Sequence, residues 1–392
     1  MSGRLNNIAL VTCAPFPIGN VSTLRYSSYM KALSQESIGA HVLIYCPTRM
    51  AAHIKARSGK FEDITYHYAT DITWKKYNFF NKCRYLIIGL KNSLFYLHSN
   101  QISTVILYGD NLFLVHLVFW LYTRFTGKRF IGDRSELPTE KERQSKLKMC
   151  LYGIKQRMFD GMIVMTKQLM NFYSRYSSQP NFLYFLPMTI DSNRFKEVQK
   201  DMASPPYISV VFGTHNRDGL LDSLKSFDLY CSKGGTYDLW LIGDYHNMPN
   251  KKQLDEYILS SEYRDRIYIL GLQPNDRVPA ILYNSSILLT TPQYYLSGGF
   301  PTKLGEYMLS GVPVVATNAG EILDYIEPDI DMLICSPGDY DDISTALLRI
   351  ENDEKLAFNL ATNARNKALN VFSAESYIDS LMDFLLPKEI TI

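Results

Sequence analysis

The fold is decided by residues 285–326, which read SSILLTTPQYYLSGGFPTKLGEYMLSGVPVVATNAGEILDYI. Two short apolar runs, Ile287 to Thr291 and Val312 to Thr317, predict buried parallel strands. Between them a proline and a glycine bracket the segment from about Thr302 to Ser310, which predicts a helix. The order of strand, glycine-rich loop, helix and strand indicates an α/β domain.

The loop before this helix predicts a phosphate site. It leads several backbone N–H groups to a helix N-terminus, which is where phosphates bind in proteins. Since Pro301 has no N–H to donate, the candidate donors in and after Ser297-Gly298-Gly299-Phe300 are Gly299, Phe300 and Thr302.

Lys303 and Glu306 are three residues apart and therefore share one face of the predicted helix. This face offers a cation near the phosphates. One turn further on, it offers a carboxylate that can accept hydrogen bonds from vicinal hydroxyl groups.

The segment FPTKLGEYMLSGVPVVAT, residues 300–317, resembles the retaining nucleotide-sugar glycosyltransferases of the GT-B fold, glycosyltransferase family 4. In that family the loop carries a first glutamate and the helix a second, followed by Tyr or Ala, Met and Gly-x-Pro-Val-Val-Ala-Thr. Glu306 matches the second glutamate, to which the family assigns the ribose hydroxyls of the nucleotide. Gly298 stands at the place of the first, which normally lies close to the donor sugar. We interpret Gly298 as variation within an active enzyme; an inactive nucleotide-sugar-binding or scaffold protein of the same fold is the alternative.

The length of 392 residues predicts two domains. The resemblance implies two Rossmann-like, doubly wound α/β domains that face a cleft. We expect an acceptor-side domain at 1–199, a nucleotide-sugar-binding domain at 200–372, and a C-terminal helix at 373–392 that crosses back to the first domain. The polar connector KDMASPPY, residues 200–207, is the expected hinge.

Composition excludes some classes of function and location. A formal net charge of +2 argues against a chain-wide nucleic-acid footprint. The six cysteines have no paired metal spacing, which indicates reduced thiols in a cytoplasmic protein. The N-terminus MSGRLNNIALVT has no long apolar core, so we expect no secretion signal.

The chain begins with a predicted βαβ unit formed by strand Ile8 to Thr12, a helix from about Thr23 to Glu36, and a strand in HVLIYCP. In the resembled family a glycine of the first loop lies under the donor diphosphate, and Gly19 matches it. A simple turn at Gly19 is an equally open interpretation.

Two loops of the first half follow predicted strands, at the sheet edge where open α/β sheets bind ligands. Asp110 follows the first strand, where many relatives carry a histidine near the transferring sugar. Asp133 and Glu136 follow the second and match the Glu-x-x-Glu-x-Pro loop of the family. Asp110 and Glu136 are therefore candidate sugar or acceptor contacts, while solvated loop residues are the simpler interpretation.

The second half restarts with strand Ile208 to Gly213 and the turn Thr214-His215-Asn216-Arg217-Asp218-Gly219. Relatives place two cations on the donor phosphates here. Arg217 matches one of them and can bind phosphate oxygens in a bidentate manner, whereas Thr214 stands near the other. Gly271 begins a loop that in the family lies beside the base.

Residues 72–98 mix basic and aromatic side chains, among them Lys75, Lys76, Lys82 and Arg84. Such a stretch can lie on an anionic membrane surface, and a solvated two-helix connection is equally open. A second basic segment, Lys141 to Arg157, lies in the same half. We expect a cytoplasmic protein. If residues 72–98 lie on a membrane, the protein is expected to be peripheral on the inner membrane face.

The resemblance thus implies transfer, with retention, from a UDP- or GDP-linked sugar to a glycan or lipid-linked acceptor. Arg217, Lys303 and Glu306 are the expected catalytic residues, and the two cations would stabilise the departing diphosphate. No metal and no cofactor are expected. The pair in Asp329-Ile330-Asp331 precedes a strand rather than following one, so we interpret it as a turn with solvated carboxylates.

Overall fold

A computed structural model describes residues 6–19, 21–48, 51, 54–70, 79–109, 111–201, 205–294, 300 and 302–387. The chain divides into two compact units, the first formed by residues 1–190 and 374–392, the second by residues 191–373. Several residues singled out above lie outside the described part: Lys75, Lys76, Asp110, Gly298, Gly299 and Pro301.

The described residues of the first unit contain an eight-stranded sheet in the order β3-β4-β2-β1-β5-β6-β7-β8. Its strands are β1 (Asn7–Thr12), β2 (Gly39–Ile44), β3 (Ser58–Phe61), β4 (Ile64–Tyr68), β5 (Ile102–Tyr108), β6 (Arg129–Arg134), β7 (Gly161–Val164) and β8 (Leu183–Phe185). All neighbours pair in parallel except β3 and β4, which form an antiparallel hairpin at the edge. This hairpin was not predicted from the sequence.

Six helices of the first unit connect these strands in the described part of the chain. They are α1 (Val21–Gln35), α2 (Phe79–Ser99), α3 (Phe113–Thr126), α4 (Glu140–Arg143), α5 (Lys146–Arg157) and α6 (Lys167–Tyr173). The helix α2 packs closely against the chain just after β2. A Cβ on Gly89 of this helix would lie 2.0 Å from the carbonyl oxygen of Tyr45, so only glycine allows this approach. None of the helices in the described part combines the length and the apolar character needed to cross a bilayer.

The second unit contains a six-stranded, fully parallel sheet within its described residues, in the order β11-β10-β9-β12-β13-β14. The strands are β9 (Tyr207–Val211), β10 (Asp238–Ile242), β11 (Ile267–Gly271), β12 (Ile287–Thr290), β13 (Val314–Thr317) and β14 (Leu333–Cys335). The helices are α7 (Leu220–Ser232), α8 (Lys251–Ser260), α9 (Val278–Asn284), α10 (Leu304–Ser310), α11 (Tyr340–Asn352) and α12 (Glu354–Val371). The strand order reverses between β9 and β12, and this switch point is where doubly wound sheets bind ligands.

The last helix, α13 (Ile378–Leu385), belongs to the first unit. Leu381 and Leu385 are fully buried in the core formed with β1, β2 and α1. The hydroxyl of Thr104 in β5 donates to the carbonyl oxygen of Leu385 over 3.0 Å, and the rings of Tyr184 and Phe384 stack at 5.1 Å. The C-terminal helix α13 thus completes the apolar core of the first unit.

Two local expectations are corrected by the structure. The helix predicted from Thr302 begins at Leu304, because Thr302 and Lys303 form a turn. Asp331 is not solvated: it is 2% exposed, accepts from the N–H of Glu327 over 2.7 Å, and pairs with Lys367 at 2.5 Å. A buried carboxylate that is held by a lysine and a backbone N–H stabilises this turn.

Candidate functional site

The candidate site lies where two loops meet at the switch point of the second unit. One loop follows β9 and ends at Gly219; the other follows β12 and begins at Thr291. The hydroxyl of Thr291 donates to the carbonyl oxygen of Gly219 over 2.8 Å. The backbone N–H of Gln293 donates to the carbonyl oxygen of Arg217 over 3.1 Å. The backbone of one loop therefore fixes the backbone of the other.

Gly219 is required by this close approach. Its φ is +71°, and a Cβ on it would lie 1.7 Å from the carbonyl oxygen of Thr291. Only glycine satisfies both conditions, the left-handed backbone and the contact. The residue also precedes α7, so the same position sets where that helix begins.

Asp218 and Lys303 form an ion pair that joins the two loops. The ammonium group of Lys303 donates to Oδ2 of Asp218 over 3.0 Å, and the N–H of Gly213 donates to the same oxygen over 2.5 Å. Burial alone would raise the pKa of Asp218, but the charge of Lys303 and the Gly213 N–H outweigh it, so this pKa lies below its usual value. A Cβ on Gly213 would approach that oxygen to 3.1 Å, so glycine gives the carboxylate its space.

Lys303 is a desolvated cation next to a second one. Its side chain is 24% exposed. Burial lowers the pKa of Lys303, the charge of Asp218 raises it, and the neighbouring charge of Arg217 lowers it further, with a net lowering. Within the described residues, the buried Nε of Arg217 has no hydrogen-bond partner. The pair of cations therefore carries more positive charge than Asp218 neutralises, and an anion would relieve it.

Glu306 lies in the first turn of α10 and pairs with an arginine. Its Oε1 is 2.5 Å from Nε of Arg194, and both side chains are mostly buried. Nη2 of Arg194 also donates to the carbonyl oxygen of Asn275 over 3.1 Å. A carboxylate has about four lone-pair positions, so this pair leaves Glu306 able to accept further hydrogen bonds.

The helix α10 is held to the sheet by its own side chains. The hydroxyl of Tyr307 accepts from the N–H of Val211 at the end of β9 over 2.8 Å. Just before the helix, the side chain of Phe300 is buried against Tyr325 and Phe372, with ring centroids 5.0 and 5.7 Å away. Phe300 is thus an anchor in the core, and only its backbone is a candidate ligand donor.

Two further predicted positions lie at strand ends of the second unit. Gly271 is the last residue of β11, has a φ of +67°, and has open space around its Cβ direction. Thr302 is half-buried in the turn before α10. The structure brings Gly213, Arg217, Thr302, Lys303 and Glu306 to the carboxyl edge of one sheet.

In the first unit, Gly19 is required by the packing of its own loop. A Cβ there would lie 2.0 Å from Oγ1 of Thr23 and 2.7 Å from the carbonyl oxygen of Pro15. Those two atoms are themselves hydrogen-bonded over 2.9 Å. The local fold therefore accounts for glycine at this position before any ligand is considered.

The two carboxylates predicted to follow the strand at Arg129 lie in different places, because Asp133 is part of β6 and Glu136 lies beyond its end. Asp133 is fully buried: Nη1 of Arg25 donates to its two oxygens over 2.8 and 2.7 Å, and the hydroxyl of Tyr29 donates over 2.7 Å. Asp133 therefore holds α1 against the sheet. Glu136 is exposed, so of the two only Glu136 is accessible to a ligand.

Residues 193–367 match the family Glycosyl transferases group 1. These residues make up nearly all of the second unit, and we name them the group 1 domain after this similarity. The switch-point loops, α10 and the ion pairs of Asp218 and Glu306 all lie within the matched residues of this group 1 domain.

Known proteins extend the likeness to the whole chain. Sucrose-phosphate synthase from Thermosynechococcus elongatus superposes with a TM-score of 0.72 at 14% identity, covering 96% of this chain and 97% of that one. HepE of Anabaena, solved with UDP-glucose, gives 0.70 at 13% identity over 96% of this chain and 99% of that one. The chain therefore has the GT-B fold.

Curated relatives match over shorter lengths. The capsular polysaccharide biosynthesis glycosyltransferase CapM of Staphylococcus aureus is 23% identical over 198 residues, which is 50% of this chain and 50% of CapM. The chain spans about half, or less, of the length of the curated relatives it matches.

Sequence reasoning missed the partners of two predicted residues. Arg194 lies in the segment Asp191-Ser192-Asn193-Arg194-Phe195, before the expected hinge, and was not predicted to be part of the site. Asp218 was seen only as part of an Asp-Gly turn. An acid beside a glycine at a strand end was the available signal for Asp218; nothing in the sequence pairs Arg194 with Glu306, which lies more than a hundred residues away.

Proposed function

We propose that this protein is a retaining glycosyltransferase of glycosyltransferase family 4. It transfers a sugar from a UDP- or GDP-linked donor to a hydroxyl group of a glycan or lipid-linked acceptor in surface polysaccharide synthesis. The observation that carries the proposal is the cluster of Arg217, Lys303 and Glu306 at the switch point of the group 1 domain. CapM, a relative, is named for capsular polysaccharide biosynthesis, and the structurally similar HepE was solved with UDP-glucose.

In this proposal the donor binds to the loops of the group 1 domain. Arg217 and Lys303 bind the diphosphate, because both are cations and Nε of Arg217 is unpaired within the described residues. Glu306 accepts hydrogen bonds from the ribose hydroxyls. The remaining proposed donor contacts are Gly213, Gly271, Gly298, Gly299, Phe300 and Thr302, with Gly19 from the first unit.

The proposed reaction needs no protein nucleophile and no metal ion. The acceptor oxygen forms a bond to the anomeric carbon on the face that the diphosphate leaves, so configuration is retained. The bond from that carbon to the diphosphate oxygen breaks, and the same oxygen takes the proton of the acceptor hydroxyl. Arg217 and Lys303 offset the charge that develops on the diphosphate, and fixed charges in a partly dry site do this efficiently.

The first unit is the proposed acceptor side, with Asp110 and Glu136 as sugar or acceptor contacts. The proposed place of action is the cytoplasmic face of the membrane, since the acceptor would be assembled there from cytoplasmic nucleotide sugars.

Hydrolysis of a panel of nucleotide sugars without acceptor tests this function. We expect slow release of nucleoside diphosphate from one donor, and a higher melting temperature in the presence of that donor. Arg217→Gln should lower the hydrolysis rate at least tenfold, whereas Arg264→Gln, on an exposed turn of the same unit, should leave it unchanged. If no nucleotide sugar is hydrolysed or raises the melting temperature, the proposal is wrong.

A second function is a binding or scaffold protein without catalysis. One observation favours it: Lys303 and Glu306 both already have protein partners, Asp218 and Arg194. Such a protein would bind nucleoside diphosphate tightly and show no hydrolysis, whereas the enzyme would show both. The same panel therefore separates the two functions.

A further inference from the structure

Positive charge is concentrated on three helices of the first unit. The helices α2, α3 and α5 contain three, one and four lysines and arginines, and no aspartate or glutamate. The whole chain is balanced, with 41 basic and 39 acidic residues. Because α3 lies against both α2 and α5, the three helices form one cationic surface, which we name the α2–α3–α5 face.

The same face exposes large apolar side chains. Ten of the 23 large apolar side chains exposed within the described residues lie on these three helices. Phe80 is 80% exposed, Phe95 74%, Phe125 86% and Leu147 72%. Apolar side chains exposed in such number on one surface indicate a binding surface rather than ordinary solvent exposure.

Along α2 the two kinds of side chain share one stripe. Phe80, Arg84, Ile87, Lys91 and Phe95 are all exposed and follow each other at intervals of three or four residues. This spacing places them on one side of the helix. An aromatic and cationic stripe of this kind fits the boundary between headgroups and acyl chains of an anionic bilayer.

A cavity of about 780 Å³ is lined by residues from all three helices. Its lining includes Lys82, Phe113 and Leu151, one residue from each helix and each of them exposed. The lining also includes Cys13 and Tyr45, which follow the carboxyl ends of β1 and β2. The volume is that of a pocket for a small molecule.

The charges around the cavity favour an anion with an apolar body. Lys82, Lys148 and Lys155 line it, and Glu142 is the one acidic residue among its lining residues in the described part of the chain. The carboxylate of Glu142 already accepts from the N–H and the hydroxyl of Thr139, over 2.9 and 2.7 Å. Leu86, Leu112, Phe113 and Leu151 supply apolar wall.

We propose that the α2–α3–α5 face binds an anionic lipid bilayer, and that the cavity takes up the phosphate and the first part of the aliphatic chain of an amphiphile from that bilayer. That this amphiphile is the sugar acceptor rests on the proposed function. That the cavity binds it does not. An acceptor bound in this way is lipid-linked rather than a free glycan.

Other occupants fit the face less well. A second copy of this chain would oppose the seven exposed cations of these helices to seven others, and like charges at an interface are costly. An acidic polypeptide would satisfy the cations but would not account for a cavity with apolar walls. The bilayer accounts for the charge, the exposed aromatic side chains and the cavity together.

Sedimentation with vesicles tests the face. The full-length protein should sediment with vesicles of phosphatidylglycerol and phosphatidylcholine and not with phosphatidylcholine alone. The triple variant Arg84→Glu, Lys91→Glu, Phe95→Ser should lose at least tenfold in bound fraction. The matched control Lys252→Glu, Lys355→Glu, Phe358→Ser likewise reverses two cations and removes one phenylalanine at exposed positions of the second unit, and it should bind like the unchanged protein.

Calorimetric titration with dodecyl phosphate below its micelle concentration tests the cavity. Leu86→Trp fills the cavity and should weaken binding of this probe at least tenfold, while inorganic phosphate should not bind measurably. The triple face variant leaves the cavity lining intact and should bind the probe normally. Circular dichroism of each variant excludes loss of fold as the cause.

Each of the following results would overturn the inference: equal sedimentation of the face variant and its control, no binding of dodecyl phosphate, or binding to polyglutamate as strong as to anionic vesicles. Binding of UDP and UDP-glucose is measured on the same samples. If the unchanged protein binds vesicles but neither UDP nor UDP-glucose, the proposed function is wrong and the bilayer-binding face stands. If it binds the nucleotides but not the vesicles, the bilayer-binding face is wrong and the proposed function stands.

Discussion

At the scale of single residues, the site combines cations with carboxylates that already have partners. Asp218 accepts from Lys303 and from the N–H of Gly213, while Glu306 pairs with Arg194. These pairs hold the cation and the carboxylate in place before any ligand arrives. Side chains positioned in advance lose less conformational entropy on binding, which favours affinity.

Asp218 should make the stability of the group 1 domain depend on pH. Its pKa is lower in the folded than in the unfolded protein, so its stabilisation is complete above the unfolded value of about 3.9 and is lost as pH falls through the folded value. Asp218→Asn should lower the free energy of unfolding at pH 7 by about 1.5 to 3 kcal/mol, the contribution of hydrogen bonds to a charged group.

Thermal unfolding of both proteins, measured at neutral pH and again well below pH 3, checks this prediction. The difference in melting temperature should be large at neutral pH and should nearly vanish in acid. An equal difference at both values would mean that the charge of Asp218 contributes nothing to stability.

At the scale of elements, the site depends on how closely the loops after β9 and β12 approach each other. Gly219→Ala should place a Cβ against the carbonyl oxygen of Thr291 in addition to straining a φ of +71°. Left-handed strain costs about 1 to 2 kcal/mol and overpacking about 1 to 3 kcal/mol more.

The matched control is Gly338→Ala, where φ is +78° and nothing lies within 4 Å of the added Cβ. This variant should lose only the backbone contribution of about 1 to 2 kcal/mol. Urea unfolding of both variants gives the difference, which measures the contact between the loops. If the two variants unfold alike, the loops do not need that contact.

At the scale of the whole molecule, the end of the chain stabilises its beginning. Leu385→Ala should destabilise the first unit by about 2 to 5 kcal/mol, because the side chain is fully buried in that core. Hydrogen exchange should show faster exchange in β1, β5 and β6 and unchanged exchange in β9 and β12.

Phe358→Ala is the control for this prediction. The ring of Phe358 is exposed on α12, so its removal should change stability by less than about 0.5 kcal/mol. If Leu385→Ala speeds exchange equally in both units, they unfold together rather than separately.

Much of this molecule was predictable from the sequence because the signals are local. Apolar runs such as Ile287 to Thr291, and the proline and glycine around the helix Leu304–Ser310, depend on neighbouring residues only. The hairpin β3-β4 was missed because its first strand, SGKF, is exposed and short and has no apolar alternation.

The partners in the site could not be predicted in the same way. The pairs Arg194–Glu306 and Lys303–Asp218 join residues far apart in the sequence. For Lys303 and Asp218, the neighbouring positions of β9 and β12 in the sheet bring the two loops together. The burial of Asp133 and Asp331 likewise depends on distant partners, Arg25 and Lys367. The sequence therefore shows where the charged residues are, but only the fold shows which partners they have and what they do.

In the proposed function, the group 1 domain binds a nucleoside diphosphate through Glu306. Calorimetric titration of the wild type, Glu306→Gln and Arg194→Gln with UDP, and with GDP in parallel, measures this contact. Both variants remove the same ion pair, but only the first removes the carboxylate proposed to accept from the ribose hydroxyls. Glu306→Gln should weaken binding at least tenfold, a loss of about 1.4 kcal/mol or more, and Arg194→Gln less than about threefold. Equal affinity of the wild type and Glu306→Gln would remove Glu306 from the binding site, and no binding of either nucleotide to the wild type would show that the domain has no such site.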